Sequence, residues 1–270
     1  MNPSPKEKII NHCIYCGKND QLSDEHATPH GLGGKWILRK ASCEECRKIT
    51  SRFEARILKG VLYKYRSYKK FPSRSKYDSL KSSETYRVRD RSGNISEREI
   101  DMQSIGIHLF MPEFAEPRFL VPNPKIEGIE IRGIHYTRSI NQTASLSGVD
   151  AVKINQDFPT SDFIRLLAKM ALCHTLLRYE EGDLKIFIRP LIRDEVARVE
   201  DWIYVGSPTK PNISKTESGI RLFSTGKWVW CEIKPLRDSP AVYKVIVGKL
   251  KFRALLKAIL NGEVRLRESR

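Results

Sequence analysis

Apolar residues follow two rhythms along this chain. Ile49, Phe53, Ile57 and Leu58 recur at helical spacing, which predicts a helix beginning near Glu44 and continuing through Leu62. Residues 161–179, SDFIRLLAKMALCHTLLRY, are apolar on most sides, the pattern of a buried helix, with Ser161 as its N-cap and Asp162 beside it. Elsewhere the pattern shortens to strands. Residues 85–88 and 95–100 bracket Ser92-Gly93-Asn94, and 220–223 and 228–233 flank Ser224-Thr225-Gly226-Lys227, so each pair predicts a hairpin. Residues 129–136 alternate like a strand, 242–247 read as a further strand, and 250–260 as a basic amphipathic helix.

Breaks in these patterns divide the chain into three parts. Residues 1–62 form a first unit framed by cysteines. Residues 63–83 are basic, tyrosine-rich and broken by Pro72, which reads as a linker whose tyrosines either stack on bases or shield a neighbouring surface. Residues 84–270 then form a larger mixed α+β domain, punctuated by Pro117, Pro122, Asn123 and Pro124. No stretch approaches the length of a membrane span and the N-terminus lacks a long apolar segment, so the expectation is a soluble, cytoplasmic protein.

Charge sharpens the picture. The chain carries 48 Lys and Arg against 32 Asp and Glu, formally +16, and such an excess attracts polyanions. It is concentrated between Lys35 and Lys76, where fourteen basic residues face three acids. Lys35, Arg39, Lys40, Lys48 and Arg52 are the candidate nucleic-acid contacts there. A solvated, solubilising face would explain the same charge.

Four of the six cysteines occur as Cys13-x2-Cys16 and Cys43-x2-Cys46. In a reducing compartment two such knuckles predict a structural Zn²⁺ held by four thiolates; coincidence or a redox pair is the alternative. The 26 residues between the pairs exceed the usual ribbon spacing, so they should contain an inserted feature. Cys173 and Cys231, each in apolar surroundings, read as core thiols.

That inserted stretch contains Ser23-Asp24-Glu25-His26-Ala27-Thr28-Pro29-His30-Gly31-Leu32-Gly33-Gly34. An acid directly before a histidine can hold a hard divalent cation while the imidazole takes a proton from water. Pro29 and Gly31 oppose a helix, so the segment should be extended and then turn. Strict alternation would place Glu25 opposite His26, so a twist or bulge must bring them to one site. His12, His108, His135 and His174 read as structural histidines.

Taken together, C-x2-C, an acid-His-x2-Pro followed by Leu-Gly-Gly, and C-x2-C opening a helix resemble the zinc-bearing HNH endonucleases of the ββα-metal group. The resemblance covers residues 13–54. It implies an α+β fold class with an N-terminal zinc-stapled unit, and phosphodiester hydrolysis, on DNA first, in a bacterial defence or mobile-element setting. It further implies His26 as general base, Glu25 as ligand of a catalytic Mg²⁺ or Mn²⁺, and Cys13, Cys16, Cys43 and Cys46 as ligands of the structural zinc. The chain departs from the family where Asn is expected: Arg47 follows the last cysteine, and Arg39 and Lys40 occupy the middle position. Glu54, two turns beyond Arg47, is the candidate replacement ligand, set against a salt bridge to Arg47 or Lys48. Arg47 is a candidate phosphate clamp, and His30 a candidate ligand or phosphate contact. The rival expectation is a catalytically silent, zinc-stabilised nucleic-acid-binding protein. Residues 84–270 are expected to recognise nucleic acid, or to mediate assembly as a homo-oligomer or with a protein partner.

Overall fold

The computed structural model describes residues 7–73, 83–101, 106–120, 129–139, 148–154, 156–193, 203–213 and 219–260. It is a mixed helix-and-sheet protein with a cysteine cluster near its N-terminus. A small sheet opens the chain, in the order β1 (Glu7–Ile9), β3 (Ile37–Ser42), β2 (Ser23–His26), with β1 parallel and β2 antiparallel to β3. Helix α1 (Glu44–Arg56) follows β3 directly, starting one residue after Cys43 as its spacing predicts. It runs into a wider helical turn, Ile57–Val61, that departs from helical geometry at Gly60, and then into α2 (Tyr63–Tyr68). A glycine there lets the chain bend at little steric cost.

Residues 63–68 are therefore ordered helix rather than linker. Tyr65 is buried and donates to Asp238 at 3.1 Å, and Arg66 is buried with its guanidinium on the carbonyls of Gly31, Leu58 and Pro72. The tyrosine-lysine pattern reads as a linker because Pro72 and the charges hide these two packed positions. Residues 74–82 of that stretch lie outside the described residues, as do Pro122, Asn123 and Pro124.

Beyond it, β4 (Ser83–Arg89) and β5 (Ile95–Asp101) form the first predicted hairpin, with β8 (Ala151–Lys153) on the free edge of β4. Strands β6 (Ile107–Phe114) and β7 (Ile131–Ser139) pair antiparallel. The second predicted hairpin is β11 (Gly219–Thr225) with β12 (Trp228–Lys234); β13 (Tyr243–Leu250) pairs with β12 and carries β10 (Val205–Gly206) and β9 (Leu184–Ile186). Short helix α4 (Arg189–Arg193) follows β9, and α5 (Phe252–Leu260) follows β13.

The centre is α3 (Thr160–Arg178), almost wholly buried. It packs against α1 and against β12 and β13, which explains why its sequence is apolar nearly all round. The expected N-cap is displaced: Pro159 holds the cap position, Ser161 lies within the first turn, and no side chain caps the end. Asp162, in that turn, is buried and pairs with Arg56 of α1 at 2.9 Å, so a charge takes over where the cap hydroxyl was expected. One continuous set of buried apolar side chains runs from the knuckles through α1 and α3 to β13, so the N-terminal unit and α3 share a core. Cys173 and Cys231 lie within it, fully buried, and burial pushes both thiols up to about 12. Among the described residues no helix is long and apolar enough to cross a membrane.

Candidate functional site

Cys13, Cys16, Cys43 and Cys46 come together with all four sulfurs within 4.8 Å of one another, and Cys16 Sγ lies 3.6 Å from Cys43 Sγ. Thiolates at ~2.3 Å from a tetrahedral ion stand about 3.8 Å apart, so the four can hold a zinc ion. Three of the four are buried. The first knuckle is anchored locally: Cys13 N donates to Lys18 O at 2.7 Å, Gly17 N to Cys13 O at 2.8 Å, and Ile14 N to Ala41 O at 2.9 Å. It is also anchored from a distance. Arg189 Nε donates to Ile14 O at 2.7 Å, and His12 Nε2 meets Glu181 at 2.6 Å. His12 thus joins the knuckle to the 3-10 turn after α3, a structural role.

The insert between the knuckles holds β2, a turn, and the whole of β3. The register slips between Ser23 and Glu25, ahead of the pair; Glu25 and His26 then face Leu38 and Ile37 in regular alternation, so the expected twist or bulge between them is not there. After His26 the chain turns through Pro29 and a 3-10 turn, His30–Leu32. Gly33 adopts φ +80°, and a Cβ on Gly34 would lie 1.8 Å from Thr28 O, so these two glycines permit the tight return.

Glu25, His26 and His30 line a cavity of about 910 Å³, opposite Arg47, Thr50 and Glu54 of α1. The rings of His26 and His30 stand 5.8 Å apart, edge to face. Lys59 and Arg66 add positive charge to the wall, although the guanidinium of Arg66 is committed to backbone carbonyls. Arg47 pairs with Glu44 at 2.6 Å on the exposed side of α1, and Lys48 approaches the same acid at 3.6 Å. The salt bridge weighed for Glu54 therefore goes elsewhere.

Glu54 contacts Lys169 of α3, a residue outside the motif. Lys169 Nζ also lies 2.7 Å from Glu25 Oε1 and donates to His26 O at 3.1 Å. The second oxygen of Glu25 accepts from Tyr15 OH at 3.1 Å, and Tyr15 OH touches Cys173 Sγ at 3.8 Å. Burial alone would depress the ammonium of Lys169, but the carboxylates of Glu25 and Glu54 outweigh it and hold the lysine above its ordinary range. Burial, reinforced by the carboxylates of Glu25 and Glu54, keeps Tyr15 protonated and so a donor. Tyr15 lies inside the first knuckle and Lys169 inside the apolar helix; neither stands out in a sequence read for acids, histidines and cysteines.

Glu25, Glu54 and His30, expected as ligands of a catalytic metal, all line this cavity. Among the described residues only the four cysteines gather as a group of potential metal ligands. Glu25 is buried, and both of its oxygens already accept from Lys169 and Tyr15. His30 is exposed beside His26 and makes no third member with Glu25 and Glu54.

The five expected nucleic-acid contacts lie outside the cavity wall. Lys35, Lys40, Lys48 and Arg52 are exposed, whereas Arg39 is drawn into ion pairs with Glu7, at 2.8 Å, and Asp24. His174 of α3 sits behind the turn, its Nε2 2.9 Å from Thr28 Oγ1 and its ring against Trp36. Burial, with Lys169 nearby, lowers it to about 4, so it is a neutral structural histidine. His108 meets Tyr136 OH at 2.6 Å and His135 approaches Glu113 at 3.6 Å, both within the β6–β7 hairpin.

No protein-family model matches the chain, and neither a curated protein nor a solved structure matches it.

Proposed function

We propose that the protein is an HNH-type nuclease that hydrolyses phosphodiester bonds in nucleic acid, DNA first. The observation that carries this reading is His26 at the wall of a large cavity between a β-hairpin and the helix that follows, with the cysteine cluster at their root. That is the ββα order which the motif resembles. In this scheme a zinc ion held by Cys13, Cys16, Cys43 and Cys46 would join the hairpin to α1 at their root. His26 takes the proton from a water that attacks phosphorus in line. Arg47 and Lys59 on the cavity wall draw in the phosphate backbone.

The test is incubation of the purified, zinc-loaded chain with supercoiled plasmid, with Mg²⁺, with Mn²⁺ and with neither. Wild-type protein is expected to relax or linearise the plasmid. His26→Ala is expected to lose at least 100-fold in rate while keeping its zinc and its fold, the span ascribed to a positioned proton-transfer group. Cutting by His26→Ala at the wild-type rate would remove His26 from the mechanism.

A second reading has its own support: Glu25 is occupied on both oxygens, as it would be in a purely structural role. The protein would then be a zinc-stabilised nucleic-acid-binding module. A salt-sensitive gel shift with no cleavage under any of these conditions would favour it.

A further inference from the structure

The acids of the candidate site share a cation contributed by the chain itself. The ammonium of Lys169 has three donors, and three acceptors surround it: Glu25 Oε1 at 2.7 Å, Glu54 Oε1, and the carbonyl oxygen of His26 at 3.1 Å. Its side chain is 1% exposed, and α3, which carries it, is held on β12 and β13 as well as on α1. This is a built position rather than a surface lysine folded inward. A divalent ion on Glu25 would need an oxygen at about 2.0–2.6 Å. The first oxygen of Glu25 is covered by the ammonium and the second by the Tyr15 hydroxyl. An ion entering there would also stand within a few ångströms of a fixed like charge, which repels it.

We propose that Lys169 is the resident cation of this site, standing where the motif resemblance would put a divalent metal on Glu25, with Glu54 as the candidate replacement ligand. It is a positioning residue: it cross-links β2, α1 and α3, and by binding the backbone of His26 it sets where that imidazole stands in the cavity. The cation claim stands on the contacts alone, and only the consequence for His26 rests on the nuclease reading. Its positive charge is spent on the two carboxylates, so phosphate attraction falls to Lys59 and Arg47 on the wall.

The test is a Mn²⁺ titration of the full zinc-loaded chain, followed by the electron paramagnetic resonance signal of free Mn²⁺. Wild-type protein is expected to show no site that Glu25→Gln weakens. Lys169→Met removes the resident charge and is expected to gain one Mn²⁺ site per chain, at least tenfold tighter than anything in the wild type and lost again on adding Glu25→Gln. A Glu25-dependent Mn²⁺ site in the wild type overturns the proposal, and so does a folded Lys169→Met protein that gains none. Should Lys169→Met fail to fold, the wild-type and Glu25→Gln titrations decide: equal, site-free curves support the proposal and unequal ones overturn it. These readouts do not involve cleavage. A protein that cuts no nucleic acid yet behaves this way would end the nuclease reading and leave the resident cation standing.

Discussion

At the scale of single residues, the side chains that define the site fall into those legible in sequence and those that are not. Glu25, His26 and the four cysteines announce themselves by type and spacing; the cysteines gather in one cluster, and Glu25 and His26 line one cavity. Lys169 does not. It lies 115 residues from Glu54 and within an apolar helix, where a single lysine reads as a long side chain reaching for solvent. Its partners are acids that local reasoning assigns to other jobs, and nothing in a linear pattern joins them. His174 illustrates the reverse: a histidine on an apolar face reads as structural, and it is. Because it is held neutral, with a folded value of about 4 against 6.5 for an exposed imidazole, the unfolded chain binds more protons between those pH values. Stability contributed by His174 is therefore complete above about pH 6.5 and is lost as the pH falls towards 4. Urea unfolding at pH 7.0 and 4.5 is expected to show about 2 kcal/mol less of that loss in His174→Gln than in the wild type. Parallel pH dependence in the two proteins would show that His174 is not held neutral.

At the scale of elements, periodicity was a good guide wherever one face or all faces of an element are apolar. Helix α1 starts where Cys43 and the 3.6-residue rhythm place it, and the β4–β5 and β11–β12 hairpins turn at the glycine-bearing segments. Boundaries set by a single polar residue were less legible. Ser161 sits two residues too late to cap α3, because Pro159 already fixes the entry and Asp162 is pulled towards Arg56. Helix α2 was hidden for another reason: its buried faces are tyrosine and arginine, residues that count as polar until their partners are known. The contact of α1 with α3 is the most consequential between elements. Phe53 is fully buried there, with the Arg165 guanidinium 4.9 Å from its ring centroid. Phe53→Ala is expected to cost about 3–5 kcal/mol by leaving a cavity that α1 cannot close without moving Glu54 off Lys169. Denaturant unfolding checks the magnitude; a change below about 1 kcal/mol would mean that α1 is not held by this contact.

At the scale of the whole molecule, the two halves expected from sequence are joined by one core. Hydrophobic pattern identifies which residues are buried but not which others bury them, so a boundary drawn at 62 or 83 separates segments that pack on each other. The knuckles take part in this: Ile14 and Tyr15 are buried between Cys13 and Cys16 and touch Arg189 and Glu25 respectively. Zinc binding should accordingly stabilise more than the first sixty residues. The purified chain is expected to carry one zinc per molecule by elemental analysis. Its removal by a strong chelator, or Cys43→Ser, is expected to lower the melting temperature of the whole protein in one transition. A chain that lost zinc and kept its thermal transition would show that the cluster contributes nothing to the shared core.

The placement of α3 also bears on how the protein is made. Strands β2 and β3 and helix α1 are complete early, but the lysine that gathers their acids belongs to a helix ending at Arg178, and that helix packs on β12 and β13, made later still. A chain emerging from the ribosome at roughly 5–20 residues per second therefore carries the hairpin and its imidazoles for many seconds before the pocket can close around them. Synthesis itself delays whatever the finished pocket does until nearly the last strand has left the tunnel.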